Sequence, residues 1–374
     1  MTVDWKAPDD IKTVNILLAG FGTVGREFVR VLHRRETEWK ARYRLRFRLV
    51  GILGSGGLLY DAEGIQIAAL LDAPGRGSKA LRDYADNECG RTATWLEASA
   101  STTMAMPDWG QLADVLVEAT PTNISHGEPA LSYMMKALNR GLDVVAISKG
   151  ALVSNFGAIR DAARSSGTSL RYSGATAAAL PTLDLGDYAL AGCRISKIEG
   201  ILNGTTNYIL TRMHEEPVSF AEALQEAQQR GIAETNPALD VEGTDSACKL
   251  VLLADALLGA SSTLRDVQVT GIDRVTPDAI AAAQQAGKKL KLLASAELVP
   301  PDASPESGTR IRLEVAPREL EPGHPLFGVD RTEKGIVFHT DLMGTVAAIG
   351  GASSPTGAAA AAWKDLINLY RPDK

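Results

Sequence analysis

Residues 236–249 read NPALDVEGTDSACK, with three carboxylates, Asp240, Glu242 and Asp245, and a terminal Lys249. A helix starting near Thr244 would set Asp245 and Lys249 one turn apart on one face. A lysine ammonium held by a carboxylate can carry a proton to or from a carbonyl oxygen. Glu234, Asp240 and Glu242 fall on the irregular, proline-containing stretch just before it, and carboxylates gathered there suit a cationic group such as an ammonium. The same residues also read as an acidic surface loop with one i,i+4 ion pair, worth only a fraction of a kcal/mol. Residue types alone leave these two readings even, with Glu242 a solvated side chain in both.

A second group concerns phosphate. Gly20-Phe21-Gly22-Thr23-Val24-Gly25 follows the apolar run VNILLA and precedes a helix-period pattern, Val24, Phe28, Val31 and Leu32. In that context GxGxxG is a dinucleotide loop. Gly20 makes the turn, Gly22 admits a pyrophosphate and Gly25 lets helix and strand pack closely, with the phosphates at the helix N-terminus. An acid gripping a ribose 2′-hydroxyl is expected at the end of the second strand. Gly54-Ser55-Gly56-Gly57 stands there instead. The balance leans to NADP over NAD, with Arg76 and Lys79 the basic residues able to fold back. Thr120-Pro-Thr122-Asn123 and Ser148-Lys149 each follow a further strand, so they share the carboxyl edge of one sheet with Gly20, and Lys149 joins the candidate site.

The elements that must position these groups alternate. Strands are expected at 14–19, 45–53, 115–119 and 142–147, with helices between, which gives a parallel, doubly wound α/β sheet. The basic stretch WKARYRLRFR, 39–48, reads as an edge strand with a solvated face. Residues 54–110 are the least legible; GSGG at 54–57 and APGRGS at 73–78 look like loops. A second unit begins near 150. Helices are expected near 128–140 and 155–166. A capping box at Ser219–Glu222 opens a further helix that Gly231 closes. SPESGTR, 304–310, reads as an exposed turn. GGASSPTG leads into a last helix with Pro355 in its first turn.

The chain has 374 residues, 45% of them hydrophobic and 22% charged, with a net charge of −6. That profile suits a globular protein of two domains, and gives nucleic-acid binding no electrostatic support. No apolar run is long enough to span a bilayer and no signal peptide opens the chain, so a cytoplasmic location is expected. Three cysteines, Cys89, Cys193 and Cys248, are too few and too scattered for a disulfide framework or a metal cluster.

The run from Ala227 to Lys249 resembles the signature of the homoserine dehydrogenases. So do GILNGTTNYIL at 200–210, VEATPTN at 117–123, VVAISKG at 144–150 and GGASSPTG. The resemblance covers nearly the whole chain. It implies a Rossmann-type domain over 1–150, completed by the C-terminal helix (about 345–374). A catalytic, substrate-binding and dimer-forming α+β domain would span 151–344. It implies interconversion of L-homoserine and L-aspartate 4-semialdehyde with NAD or NADP, in amino-acid biosynthesis, by a homodimer. Lys249, Lys149 and Asp245 would be catalytic, with Asp245 orienting Lys249. Glu234 and Asp240 would hold the substrate's amino group, and Thr205 and Thr206 would line it. Gly20–Gly25, Thr120, Thr122, Asn123, Ser148 and Lys149 would hold the dinucleotide. Some members bind a monovalent cation through carbonyls of the loop matching 172–181. Gly174, where members often have glutamate, and a run one residue short put that site in doubt here. Ser148 replaces the usual asparagine. The chain stops after the returning helix, so feedback through a C-terminal ACT domain is not expected. Other readings are a dehydrogenase for a homoserine analogue, a catalytically silent dinucleotide sensor, and a thiol-dependent semialdehyde dehydrogenase using Cys193.

Overall fold

The computed structural model describes residues 10–75, 77–87, 92–97, 108–299, 310–351 and 354–372. Arg76, Cys89 and most of the 304–310 stretch lie outside the described residues. β1 (Lys12–Ala19) carries Val14, Ile16, Leu17, Leu18 and Ala19, all at 0% exposure. Such a strand has no solvated face and needs cover on both sides. It lies between β2 (Leu45–Gly54) and β5 (Val115–Glu118), parallel to each. β6 (Asp143–Ala146) and β7 (Leu170–Arg171) continue the parallel series. β3 (Gly57–Tyr60) and β4 (Thr94–Glu97) extend the other side antiparallel, giving the order β4-β3-β2-β1-β5-β6-β7.

Two expectations change at this side of the sheet. The basic stretch 39–48 is no edge strand. Its first half ends the helix Thr23–Tyr43, and its second half is β2, an interior strand. The GSGG loop is the reason: as a tight turn it folds the chain straight back into β3, which covers the edge that β2 would otherwise expose. Arg48 meets this placement by donating to the Asn15 side chain at 2.9 Å.

Helices cover both faces. Phe28, Val29 and Leu32 of the helix Thr23–Tyr43 pack with Trp363 and Leu366 of the last helix, Pro355–Tyr370. The Phe28 and Trp363 rings stack at 4.1 Å, and the Trp363 indole donates to the Phe28 carbonyl at 3.0 Å. The chain's end therefore returns to its beginning. The helices Ala130–Asn139 and Gly150–Ser166 cover the opposite face. The latter starts earlier than its periodicity suggests and carries a non-helical Asn155.

A second sheet holds β8 (Ile195–Ile201), β9 (Val267–Val269), β10 (Lys289–Val299), β11 (Arg310–Leu320), β12 (Lys334–Thr340) and β13 (Thr345–Gly350). Their order is β13-β12-β8-β10-β11-β9, antiparallel except for β11 against β9. The helices Gly204–Glu215 and Thr244–Leu257 bury their apolar residues against it. The capping box at Ser219 is present, and Gly231 follows the helix Phe220–Gln229 at φ +68°. Among the described residues no helix is long and apolar enough to cross a membrane.

Candidate active site

The carboxyl end of β1 turns at Gly20, whose φ of +96° and whose 2.5 Å approach of a would-be Cβ to the Ala119 carbonyl leave room for glycine alone. A Cβ on Gly25 would stand 2.1 Å from the Gly20 carbonyl, so the third glycine is what lets the helix start against the turn. At Gly22 a Cβ would meet nothing within 4 Å. Gly22 lies on the wall of a cavity of about 470 Å³, together with Gly20, Phe21, Thr23, Val24, Thr120 and Thr122. A pyrophosphate therefore fits, with backbone N–H groups of the helix N-terminus facing it. Ser55, Gly77 and Ser78 close the end beyond β2, and among the described residues that cavity's lining contains no carboxylate.

Glu118 ends β5 at 0% exposure. It accepts from the Thr120 N–H at 2.7 Å and hydroxyl at 2.5 Å, and from the Ser148 hydroxyl at 2.7 Å. Burial pushes its carboxyl up, and these donors work in the opposite direction. One carboxylate thus ties the loops after β5 and β6 together and sets where Lys149 begins. Ser148 is spent on that bond, which explains how a residue other than asparagine serves there.

Lys149 reaches across to the second unit. Its ammonium lies 3.0 Å from one Asp245 oxygen, while Lys249 lies 2.6 Å from the other. The helix begins at Thr244, so Asp245 and Lys249 are the i,i+4 pair that the spacing requires. Asn203, the N-cap of the helix Gly204–Glu215, donates to Asp245 at 2.8 Å and to Asp240 at 2.7 Å. Burial alone would raise the Asp245 carboxyl; the Lys249 and Lys149 ammoniums outweigh it and hold the group well below the usual carboxylate range. Asp245 lifts the Lys149 ammonium against the effect of burial. Asp240 is pushed up by burial and by the charge on Asp245, with Asn203 and Thr205 opposing. An incoming ammonium would relieve that strain, since an opposite charge favours the ionised carboxylate.

Lys149, Asp245, Asp240, Glu234, Asn236, Thr244 and Cys248 line a cavity of about 550 Å³. Pro121 and Thr122 lie on its wall and also on that of the dinucleotide groove, so the two spaces meet there. Lys249 sits behind Asp245 rather than on the wall, its side chain 16% exposed. Among the described residues it donates to the Leu202 carbonyl at 2.8 Å and to Asp245, which leaves one of its three ammonium N–H groups unspent.

Other expected residues fall outside the lining. Thr206 is 1% exposed and donates its N–H to Asn203; Thr205 donates to the Ile232 carbonyl at 3.2 Å. Both support the loop without lining the cavity. The Asn123 side chain pairs with His126 at 2.9 Å and closes its own turn. Glu242 is exposed. Cys193 lies away from both cavities, whereas burial pushes the Cys248 thiol up to about 11, which denies either cysteine the role of nucleophile. The spacing did not reveal Glu118 or Asn203. Their signals are present but weak: a lone acid closing an apolar strand, and an asparagine ahead of a helix.

Two family models match the chain, "Homoserine dehydrogenase, NAD binding domain" over residues 20–173 and "Homoserine dehydrogenase" over residues 181–367. A homoserine dehydrogenase of Methanocaldococcus jannaschii is 34% identical across 96% of this chain and 100% of its own. An NAD(+)-dependent homoserine dehydrogenase of Pseudomonas canavaninivorans is 32% identical across 95% and 96%. A solved homoserine dehydrogenase from Thiobacillus denitrificans superposes with a TM-score of 0.77 at 25% identity, covering 97% of this chain and 74% of that one.

Proposed function

The chain belongs to the homoserine dehydrogenase family, and from that premise we propose how its residues share the reaction. The protein is an NAD(P)-dependent oxidoreductase acting on a CH–OH group, interconverting L-homoserine and L-aspartate 4-semialdehyde. When bound, the nicotinamide supplies or accepts the hydride. The single observation that carries the residue roles is the shared wall at Pro121–Thr122. It joins a glycine-lined groove to a cavity walled by Lys149 and Asp245, with Lys249 paired to Asp245 behind that wall.

Lys249 hands its unspent proton to the developing alkoxide during reduction, and Asp245 fixes where that ammonium points. Asp240 and Glu234, on the same wall, take the substrate's ammonium and set the reacting carbon's distance from the groove. A second reading is favoured by Lys149's place on the wall: Lys149 transfers the proton and Lys249 holds Asp245. Residues up to about 150, with the last helix, form the dinucleotide unit, and 151–344 the catalytic one. NADP is the proposed preference. The reading is supported by the Ser55 and Ser78 hydroxyls, 3.2 Å apart on the groove's wall, and by the N-terminus of the helix Ser78–Asp86, groups that would favour a phosphate. A homodimer through the second sheet suits the exposed Leu342, Met343 and Ile349 around β13.

The test is reduced-cofactor absorbance with L-homoserine and either NADP or NAD. Turnover favouring NADP is expected. Folded protein with no turnover on either dinucleotide would overturn the assignment of roles, and faster turnover with NAD would overturn the preference.

A further inference from the structure

Lys334 opens β12 and is 1% exposed. A second buried lysine shows what full satisfaction looks like: the Lys291 ammonium donates to the Asn207 side chain, the Val329 carbonyl and Asp330. Among the described residues Lys334 has a single acceptor, the Ala177 carbonyl at 2.7 Å. No carboxylate lies within ion-pairing distance of it among those residues. A buried charge without a counter-ion is expensive, so it needs a reason.

That reason lies in the turn it touches. Ala178 adopts φ +51°, and the Leu180 N–H also donates to the Ala177 carbonyl, at 3.2 Å. Both lone pairs of that oxygen are therefore used. Of the neighbouring carbonyls, Tyr172 accepts one bond from Ala175, Ser173 one from the Thr176 hydroxyl, Leu180 one from Thr182 and Pro181 one from Leu185. Gly174 offers no carboxylate. A free monovalent ion would find the Ala177 oxygen fully used and would meet the ammonium's like charge beside it. Residues 172–181 thus do not fit the ion that some family members hold there.

We propose that the Lys334 ammonium is a tethered monovalent cation, seated on the 177–180 turn in place of a free sodium or potassium ion, so that the enzyme needs neither. Gly335 pairs with Ile201 across the sheet, next to the Leu202 carbonyl that holds Lys249. The charge therefore braces the turn from a strand that also borders the proton-handling cluster.

The test compares choline, sodium and potassium chlorides at equal ionic strength, reading semialdehyde reduction and, independently of any dehydrogenase role, the melting temperature. It is run at about pH 6, below the value of about 7 to which burial and the nearby Lys249 push the Lys334 ammonium. Wild type is expected to give the same melting temperature and rates within about twofold in all three salts. Lys334→Met, which keeps the stem and loses the charge, is expected to drop turnover about tenfold or more in choline and to melt lower. Lys334→Ala, which opens space at the carbonyl, is expected to regain rate on adding potassium or methylammonium. A wild type that needs sodium or potassium, or melts higher in one of them, overturns the proposal. So does a Lys334→Met protein equal to wild type in rate and melting. If neither variant folds, the wild-type comparison still decides.

Discussion

Asp245→Asn removes one charge and almost no volume from the centre of the site. In the wild type, Asp245 accepts from two ammoniums, at 2.6 Å and 3.0 Å, and from Asn203 at 2.8 Å. The amide can keep one acceptor oxygen, but its NH2 must then face a lysine, and two like charges are left with no anion between them. Breaking a buried ion pair by removing one partner costs about 3–5 kcal/mol. Two features reduce this. The Lys249 and Lys149 side chains are 16% and 21% exposed and can turn toward water. Asp240, whose carboxyl burial and Asp245 together push up, is relieved of that neighbouring negative charge. A net loss of about 2–3 kcal/mol of stability follows, measurable by chemical denaturation. Turnover should fall further than stability implies. An ammonium no longer aimed at the carbonyl oxygen forfeits the general-acid contribution, about 10²–10⁴ in rate. Dinucleotide affinity should stay within about threefold, because the glycine turn is built by other elements. The pH dependence has a definite sign. Asp245 is held below its unfolded value, so its contribution is present above the usual carboxylate range and is lost only as pH falls well below it. The variant should lack that acid-side loss. Turnover within about threefold of wild type would refute the claim that Asp245 positions the proton donor.

Lys249→Ala should lower turnover by about 10³ or more with dinucleotide binding intact, whereas Lys149→Ala should raise KM for the amino-acid substrate alongside a smaller loss of turnover; the reverse order would transfer the proton step to Lys149. Gly25→Ala forces a Cβ to within 2.1 Å of the Gly20 carbonyl, so dinucleotide affinity by fluorescence titration should fall at least about tenfold, with about 1–3 kcal/mol of stability lost; unchanged affinity would break the link between that packing and the groove. Asp255 is pushed up by burial from 3.8 to about 6, so the folded state holds more protons than the unfolded between those values and stability falls as pH rises through them. Asp255→Asn keeps an acceptor for the Ser262 N–H and should erase a decline of about 2 kcal/mol between pH 4 and 7; a decline that persists in the variant belongs to another group.

What was legible along the chain is what short-range geometry dictates. An apolar run buried on both faces, three glycines at fixed spacing and a helix beginning at Thr244 all follow from two periodicities and the conformational freedom of glycine. The Asp245–Lys249 pair is of the same kind, since four residues on a helix bring side chains together whatever surrounds them. The tertiary structure decided everything that needs two distant segments. Lys149 meets Asp245 only because β6 ends facing the helix Thr244–Leu257, and nothing in either segment encodes the other's position. Glu118 joins two loops because β5 and β6 are neighbours in the sheet. The basic stretch became an interior strand because a glycine turn supplied a partner for its edge. Thr205 and Thr206 sit in the motif that names the substrate loop, yet their hydroxyls bond inward, because the backbone acceptors that satisfy them are set by folding. Lys334, an ordinary lysine by sequence, is placed by its strand with its ammonium against the Ala177 carbonyl and 1% exposed, which only packing could determine.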